Sequence, residues 1–115
     1  MGRMRILWGL AAMGAALTVS GGARADAIDG NWCSADHRHF AIAGPRITTP
    51  GGAQIVGRYD RHGFLYRVPE GEPHAGAQVV MDLMNEQTVH LHMRGAEFGD
   101  KPSELEVWKR CEVIS

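Results

Sequence analysis

Beyond the first 25 residues, apolar and polar positions alternate at period two, and glycine, proline, aspartate or asparagine breaks the alternation every eight to twelve residues. Helical spacing is almost absent there, so the pattern predicts a run of short antiparallel strands. Phe40, Ile42 and Ile47 fall on one face across "AGPR", with Gly44-Pro45 as a two-residue hairpin loop. "TPGGA" then turns the chain before "QIVGRY". Ile55, Gly57 and Tyr59 share a side, as do Phe64, Tyr66 and Val68. A turn from Asp60 to Gly63 sets Tyr59 opposite Phe64 and Gly57 opposite Tyr66, which keeps the apolar face continuous through the hairpin. "PEGEPHAG", residues 69–76, is too rich in proline and glycine to be a strand. Val79, Met81 and Leu83 then face Val89, Leu91 and Met93 across a three-residue loop at Asn85-Glu86-Gln87, which pairs Leu83 with Val89 and Met81 with Leu91. The closing stretch, "ELEVWKRC", is expected to turn Leu105 and Val107 inward.

These segments predict an all-β fold: a small antiparallel meander of 7–8 strands in residues 26–115. Such a meander has two unpaired edges, and pairing its first strand with its last removes both, so a closed barrel is favoured over an open sheet. In a barrel of this size the named side chains are expected to fill the interior, leaving little space for a substrate pocket.

The chain begins differently. Arg3 and Arg5 precede an apolar run from Ile6 to about Val19, and Ala23-Arg24-Ala25 offers a small-residue cleavage point. This is the plan of a secretory signal peptide over residues 1–25, leaving 26–115 as one domain. The apolar run falls short of the roughly 20 residues that span a bilayer, and no cysteine stands at the cleavage point, so no stable membrane anchor is expected once the signal is cleaved. All thirteen acidic residues but only nine of the twelve basic ones remain after cleavage, a net charge of −4. That balance gives no overall attraction to nucleic acid or to anionic lipid. The expected location is the periplasm or the outside of the cell.

Export also bears on the only two cysteines, Cys33 and Cys111. In an oxidising compartment they are expected to form a disulfide joining the first and last strands. Neither CxxC spacing nor a basic helix end is present to favour thiolate chemistry instead. One conflict remains in this picture. If Leu105 and Val107 point inward, alternation also sends Cys111 inward, whereas Cys33 lies on the face opposite Trp32, itself placed inside. A bulge near Trp108-Lys109, or a bond at the rim of the barrel, would reconcile the two.

Gly30-x-Trp32 in the first strand, with Arg110 in the last, resembles the lipocalin-like or calycin arrangement. The resemblance implies that Arg110 packs over Trp32 as a structural closure and that the protein acts by binding. Small exported members of that architecture include bacterial inhibitors of secreted proteases, similar in size and layout. Over its whole mature length the chain also resembles small exported proteins of alphaproteobacteria, a likeness that implies no activity.

Two histidine pairs could carry metal chemistry: "HRH" (His37, His39) and "HLH" (His90, His92). Residues two apart on a strand face the same way, so both imidazoles of a pair could reach one zinc or copper ion. Asp82 is expected opposite His90 and could complete that site. In a closed meander the two pairs are three strand spacings apart, about 14 Å, too far to share an ion. The alternative is histidines on a solvated sheet face. A second cluster places Arg58, Arg61, His62 and Arg67 among Tyr59, Phe64 and Tyr66. Alternation turns the aromatics inward, which disfavours base stacking and leaves the basic residues as candidate contacts for an acidic partner.

For catalysis the sequence offers little. It contains no GxSxG elbow, no phosphate-cradling glycine motif and no HExxH, and Glu70 and Glu72 sit in a loop where nothing separates their pKa values. The expectation is therefore a non-catalytic binding or inhibitor-type module without a cofactor, whose partner is an unknown protein or small ligand. A zinc- or copper-binding protein is the alternative. "TPGG", "DRHG" and "PEGEPHAG" are the loops expected to make contact.

Overall fold

A computed structural model describes residues 27–112, and the expected signal segment, 1–25, lies outside the described residues. No helix among the described residues is long and apolar enough to cross a membrane. Among the described residues nine strands form one antiparallel sheet: β1 (Gly30–Cys33), β2 (His39–Ala43), β3 (Arg46–Thr48), β4 (Gln54–Val56), β5 (Arg58–Asp60), β6 (Gly63–Arg67), β7 (Gln78–Asn85), β8 (Thr88–Arg94) and β9 (Glu106–Arg110). Their order is β4-β3-β2-β1-β9-β8-β7-β6-β5. The first strand pairs with the last, Trp32 opposite Arg110 and Cys33 opposite Lys109.

The two outermost strands of the sheet, β4 and β5, are consecutive in sequence with only Gly57 between them. One bent ribbon therefore supplies both edges, pairing with β3 before the bend and with β6 after it, so the barrel is nearly closed. Glycine is required at the bend by space: a Cβ at position 57 would lie 2.5 Å from both the Leu65 carbonyl oxygen and the Phe64 ring. The Gly57 amide bonds the Pro45 carbonyl at 2.8 Å, which fastens the bend to the β2–β3 turn. "QIVGRY" is thus two short strands rather than one, with Ile55 and Tyr59 still packed against the core.

Most of the local pairing agrees with the alternation. Tyr59 faces Phe64, Met81 faces Leu91, Leu83 faces Val89 and Ile42 faces Ile47. Ala43 opposite Arg46 makes Gly44-Pro45 a two-residue loop, with Gly44 at φ 57° as such a turn demands. At the β7–β8 turn the expected three-residue loop is instead a two-residue one: Asn85 pairs with Thr88, and a bulge between Leu83 and Asn85 absorbs the extra residue.

The last strand corrects the sequence reading. Leu105 and Val107 are 55% and 48% exposed, while Trp108 is 1% exposed and packs into the core. Either face of "ELEVWKRC" could have been buried, but the indole removes far more apolar area from water than a valine does. Its ring lies 4.8 Å from that of Phe40, and its Nε1–H donates to Glu106 at 3.0 Å. Shifting the face by one residue also removes the cysteine conflict. Cys33 and Lys109 are paired on the outer surface, and Cys111, two residues on, reaches the same face. The Cys33–Cys111 disulfide forms there, with Cα atoms 5.1 Å apart and no bulge in β9.

Candidate functional site

The two ends of the barrel differ. At one end the residues before β1 cross the opening. Ile28 is fully buried, its amide bonds the Arg61 carbonyl at 2.7 Å, and its own carbonyl accepts Trp32 Nε1–H at 2.8 Å. Arg110 holds this plug in place. Its guanidinium stacks 4.4 Å from the Trp32 ring centroid and donates to the Asp29, Ala27 and Glu86 carbonyls at 2.7, 2.8 and 2.6 Å. Gly30 leaves the guanidinium room, since a Cβ there would stand 2.5 Å from Arg110 Nη1. Asp29 completes the plug, its carboxylate accepting the Gly44 amide at 2.7 Å and the Tyr59 hydroxyl.

The opposite end is open. The loops entering β2, joining β3 to β4 and joining β6 to β7, with the start of β9, surround a cup of about 360 Å³. Val68, Val79, Leu91, Met93 and Trp108 wall it, while Arg38, Pro50, Gly51, Glu72, His74 and Glu106 stand among its lining residues. This corrects the expectation of a filled interior. The core is dense at the plugged end, and the cup falls within the size range of small-molecule sites, about 300–1,000 Å³.

Its polar residues are held by one another. Arg38 bonds Asp36 at 3.0 Å and Glu106 at 3.3 Å and lies 5.0 Å from the Trp108 ring centroid. Bonds from Ser34 Oγ and then Arg38 hold the Asp36 carboxyl below its ordinary range. His74 Nδ1 lies 2.6 Å from Glu97 and its ring stacks near Phe98, so the β6–β7 loop is tied to the 3₁₀ turn at Ala96–Phe98. The Thr49 hydroxyl donates to Glu72 at 2.6 Å and accepts the Ala53 amide at 3.0 Å, which locks the β3–β4 and β6–β7 loops together.

Tyr66 reaches the cup from β6. It is 7% exposed, and its hydroxyl has no hydrogen-bond partner among the described residues. Burial first, then the negative charges of Glu72 and Glu106, raise its phenol well above the ordinary 10.0. Below pH 10 the phenol is neutral in both folded and unfolded chains and this stabilisation is fully present. As pH climbs further, the unfolded chain ionises first, so stability falls. At pH 11 the expected loss from this one group is on the order of 1 kcal/mol. Urea unfolding of the wild type and Tyr66→Phe at pH 9 and 11 checks it: the variant should lose less between the two.

The histidines, Asp82 and the basic residues singled out in the sequence lie away from the cup, apart from His74 of the "PEGEPHAG" loop. His37 is in the turn before β2, at φ 73°, and so does not share a strand with His39, whose ring bonds Asn31 at 3.0 Å. His90 and His92 lie on the outer face of β8, with Asp82 opposite His90. Strands β1 and β9 separate them from β2. Among the described residues no group of three or more His, Cys, Asp or Glu side chains is placed to hold a metal ion. Arg58, Arg61, His62 and Arg67 are exposed, Arg61 and His62 in the turn at the plugged end and Arg67 donating to the Gly76 carbonyl. "TPGG" and "PEGEPHAG" contribute to the cup's rim, whereas "DRHG" lies at the plugged end. Trp108, Arg38 and Glu106 were not anticipated, because their placement depends on the face that β9 turns inward.

Comparison with known proteins returned nothing: no family model, no curated protein and no solved structure matches this chain.

Proposed function

We propose that the protein is an exported, non-catalytic binding module whose site is the open end of the barrel. The observation that carries this reading is the asymmetry of the two ends: one is plugged by Ile28 under Arg110, and the other opens into a cup of about 360 Å³ with apolar walls. A cup bounded by strands and rimmed by interlocked loops is preorganised, so little ordering cost opposes a ligand that enters it. The polar residues at its rim are bonded to one another in support of the loops, an arrangement suited to holding a ligand. The disulfide fits an oxidising compartment, in keeping with the secretion signal read from the first 25 residues.

The test uses a neutral fluorescent naphthyl dye, N-phenyl-1-naphthylamine, titrated into the purified protein. Saturable enhancement at one dye per chain, weakened at least tenfold by Leu91→Trp, which fills the cup from its wall, is the expected result. A signal that does not saturate, or that Leu91→Trp leaves unchanged, overturns the proposal.

A further inference from the structure

The charges around the cup favour one class of ligand, an inference that rests on the cup being a binding site. Arg38, the one arginine or lysine lining it among the described residues, is compensated twice, by Asp36 and by Glu106. His74 is engaged by Glu97. Glu72 is different. Its carboxylate accepts a neutral hydroxyl, that of Thr49, and no cation among the described residues forms an ion pair with it. Among the described residues, two carboxylates, Glu72 and Glu106, thus line the cup with one guanidinium, while Asp36 and Glu97 sit on Arg38 and His74, so the opening is negative. An anionic head group entering it would meet unfavourable potential in a partly desolvated site, where charge interactions are stronger than in water.

Inside that opening lies the Tyr66 hydroxyl, buried and without a protein partner among the described residues. Buried polar atoms in folded proteins are generally satisfied, so a hydroxyl left over on a cavity wall marks where a ligand's polar group belongs. A phenol oxygen can accept a hydrogen bond from an ammonium group, and a carboxylate can neutralise the charge of that same group. The remaining walls are apolar or aromatic and match a hydrocarbon body.

We infer that the cup binds a small organic ammonium ion, an apolar amine whose cationic head lies between Glu72 and the Tyr66 hydroxyl and whose hydrocarbon body lies against Leu91, Met93 and Trp108. Glu72 supplies the counter-charge, Tyr66 the hydrogen-bond acceptor, and the apolar walls the affinity that does not depend on the head group.

Octylamine, 1-octanol and octanoate carry the same hydrocarbon and differ in the head alone, so their titration against the purified protein, by displacement of the naphthyl dye or by calorimetry, separates the terms. Octylamine is expected to bind about tenfold more tightly than 1-octanol, with octanoate weakest. Glu72→Gln keeps an acceptor for the Thr49 hydroxyl and should abolish the preference for the amine over 1-octanol. Tyr66→Phe should weaken the amine more than the alcohol. If octanoate matches or exceeds octylamine, or if the preference survives Glu72→Gln, the assignment of an ammonium ligand is overturned while the cup stands as a binding site. If none of the three binds or displaces the dye, the ammonium assignment falls, and if the dye itself fails to bind, both readings fall.

Discussion

Trp32→Ala is expected to destabilise the protein by about 3–5 kcal/mol, the range for removing a fully buried aromatic side chain. Trp32 is 0% exposed, and three interactions converge on it. Its indole fills the core beneath the plug, its Nε1–H satisfies the Ile28 carbonyl at 2.8 Å, and its ring face supports the Arg110 guanidinium at 4.4 Å. The alanine variant therefore leaves a cavity, a buried carbonyl without its donor and a guanidinium without its platform. Single domains are stable by only about 5–15 kcal/mol, so the variant should unfold at a much lower urea concentration. Trp32→Phe separates the contributions: it keeps most of the volume but loses the donor, and should cost about 1–3 kcal/mol. A loss below about 1 kcal/mol for Trp32→Ala would show that the plug does not depend on this residue.

The same residues show which parts of the molecule could be read in advance. Hairpin registers such as Tyr59 opposite Phe64 and Met81 opposite Leu91 are local: a short turn and a period of two determine them, and both are visible in a dozen residues. The pairing of first strand with last was legible through the need to remove edges and through the two cysteines. The face of β9 was not. "ELEVWKRC" carries an apolar residue at both parities, and the choice depends on what waits across the barrel, where Phe40 receives Trp108. The cup was hidden for a related reason. Its rim is assembled from Arg38, Gly51, Glu72 and Glu106, which lie far apart in the chain and meet only once the barrel closes. The length of the 69–76 loop was the available signal, since long ordered loops on a small scaffold are where binding surfaces concentrate. Gly57 shows the converse: the residues around it alternate as one strand, and only the Leu65 carbonyl and the Phe64 ring, brought close by folding, demand a glycine and a bend.

Removing the disulfide, by reduction or as the double variant Cys33→Ser with Cys111→Ser, is expected to lower stability by several kcal/mol. The bond spans a separation of 78 residues, for which chain entropy gives an upper estimate of about 4.5 kcal/mol. Its position decides how the loss is distributed. The ladder between β1 and β9 is short, Trp32 opposite Arg110 and Cys33 opposite Lys109, whereas β7 and β8 pair from Gln78–Arg94 to Asn85–Thr88. The β1–β9 seam is thus a weak joint in the barrel wall, and the covalent link lies across it on the outer face. With the link gone, the Arg110 bonds to the plug and the Trp32 stack still hold that end, so the reduced protein should remain folded with its weakest protection along this seam. Hydrogen exchange should show the amide of residue 111, which bonds the Asn31 carbonyl across the seam, accelerating more than those of β7. Uniform acceleration across all strands would mean that the bond acts only on the unfolded chain, and an unchanged urea midpoint would mean that the seam holds without it.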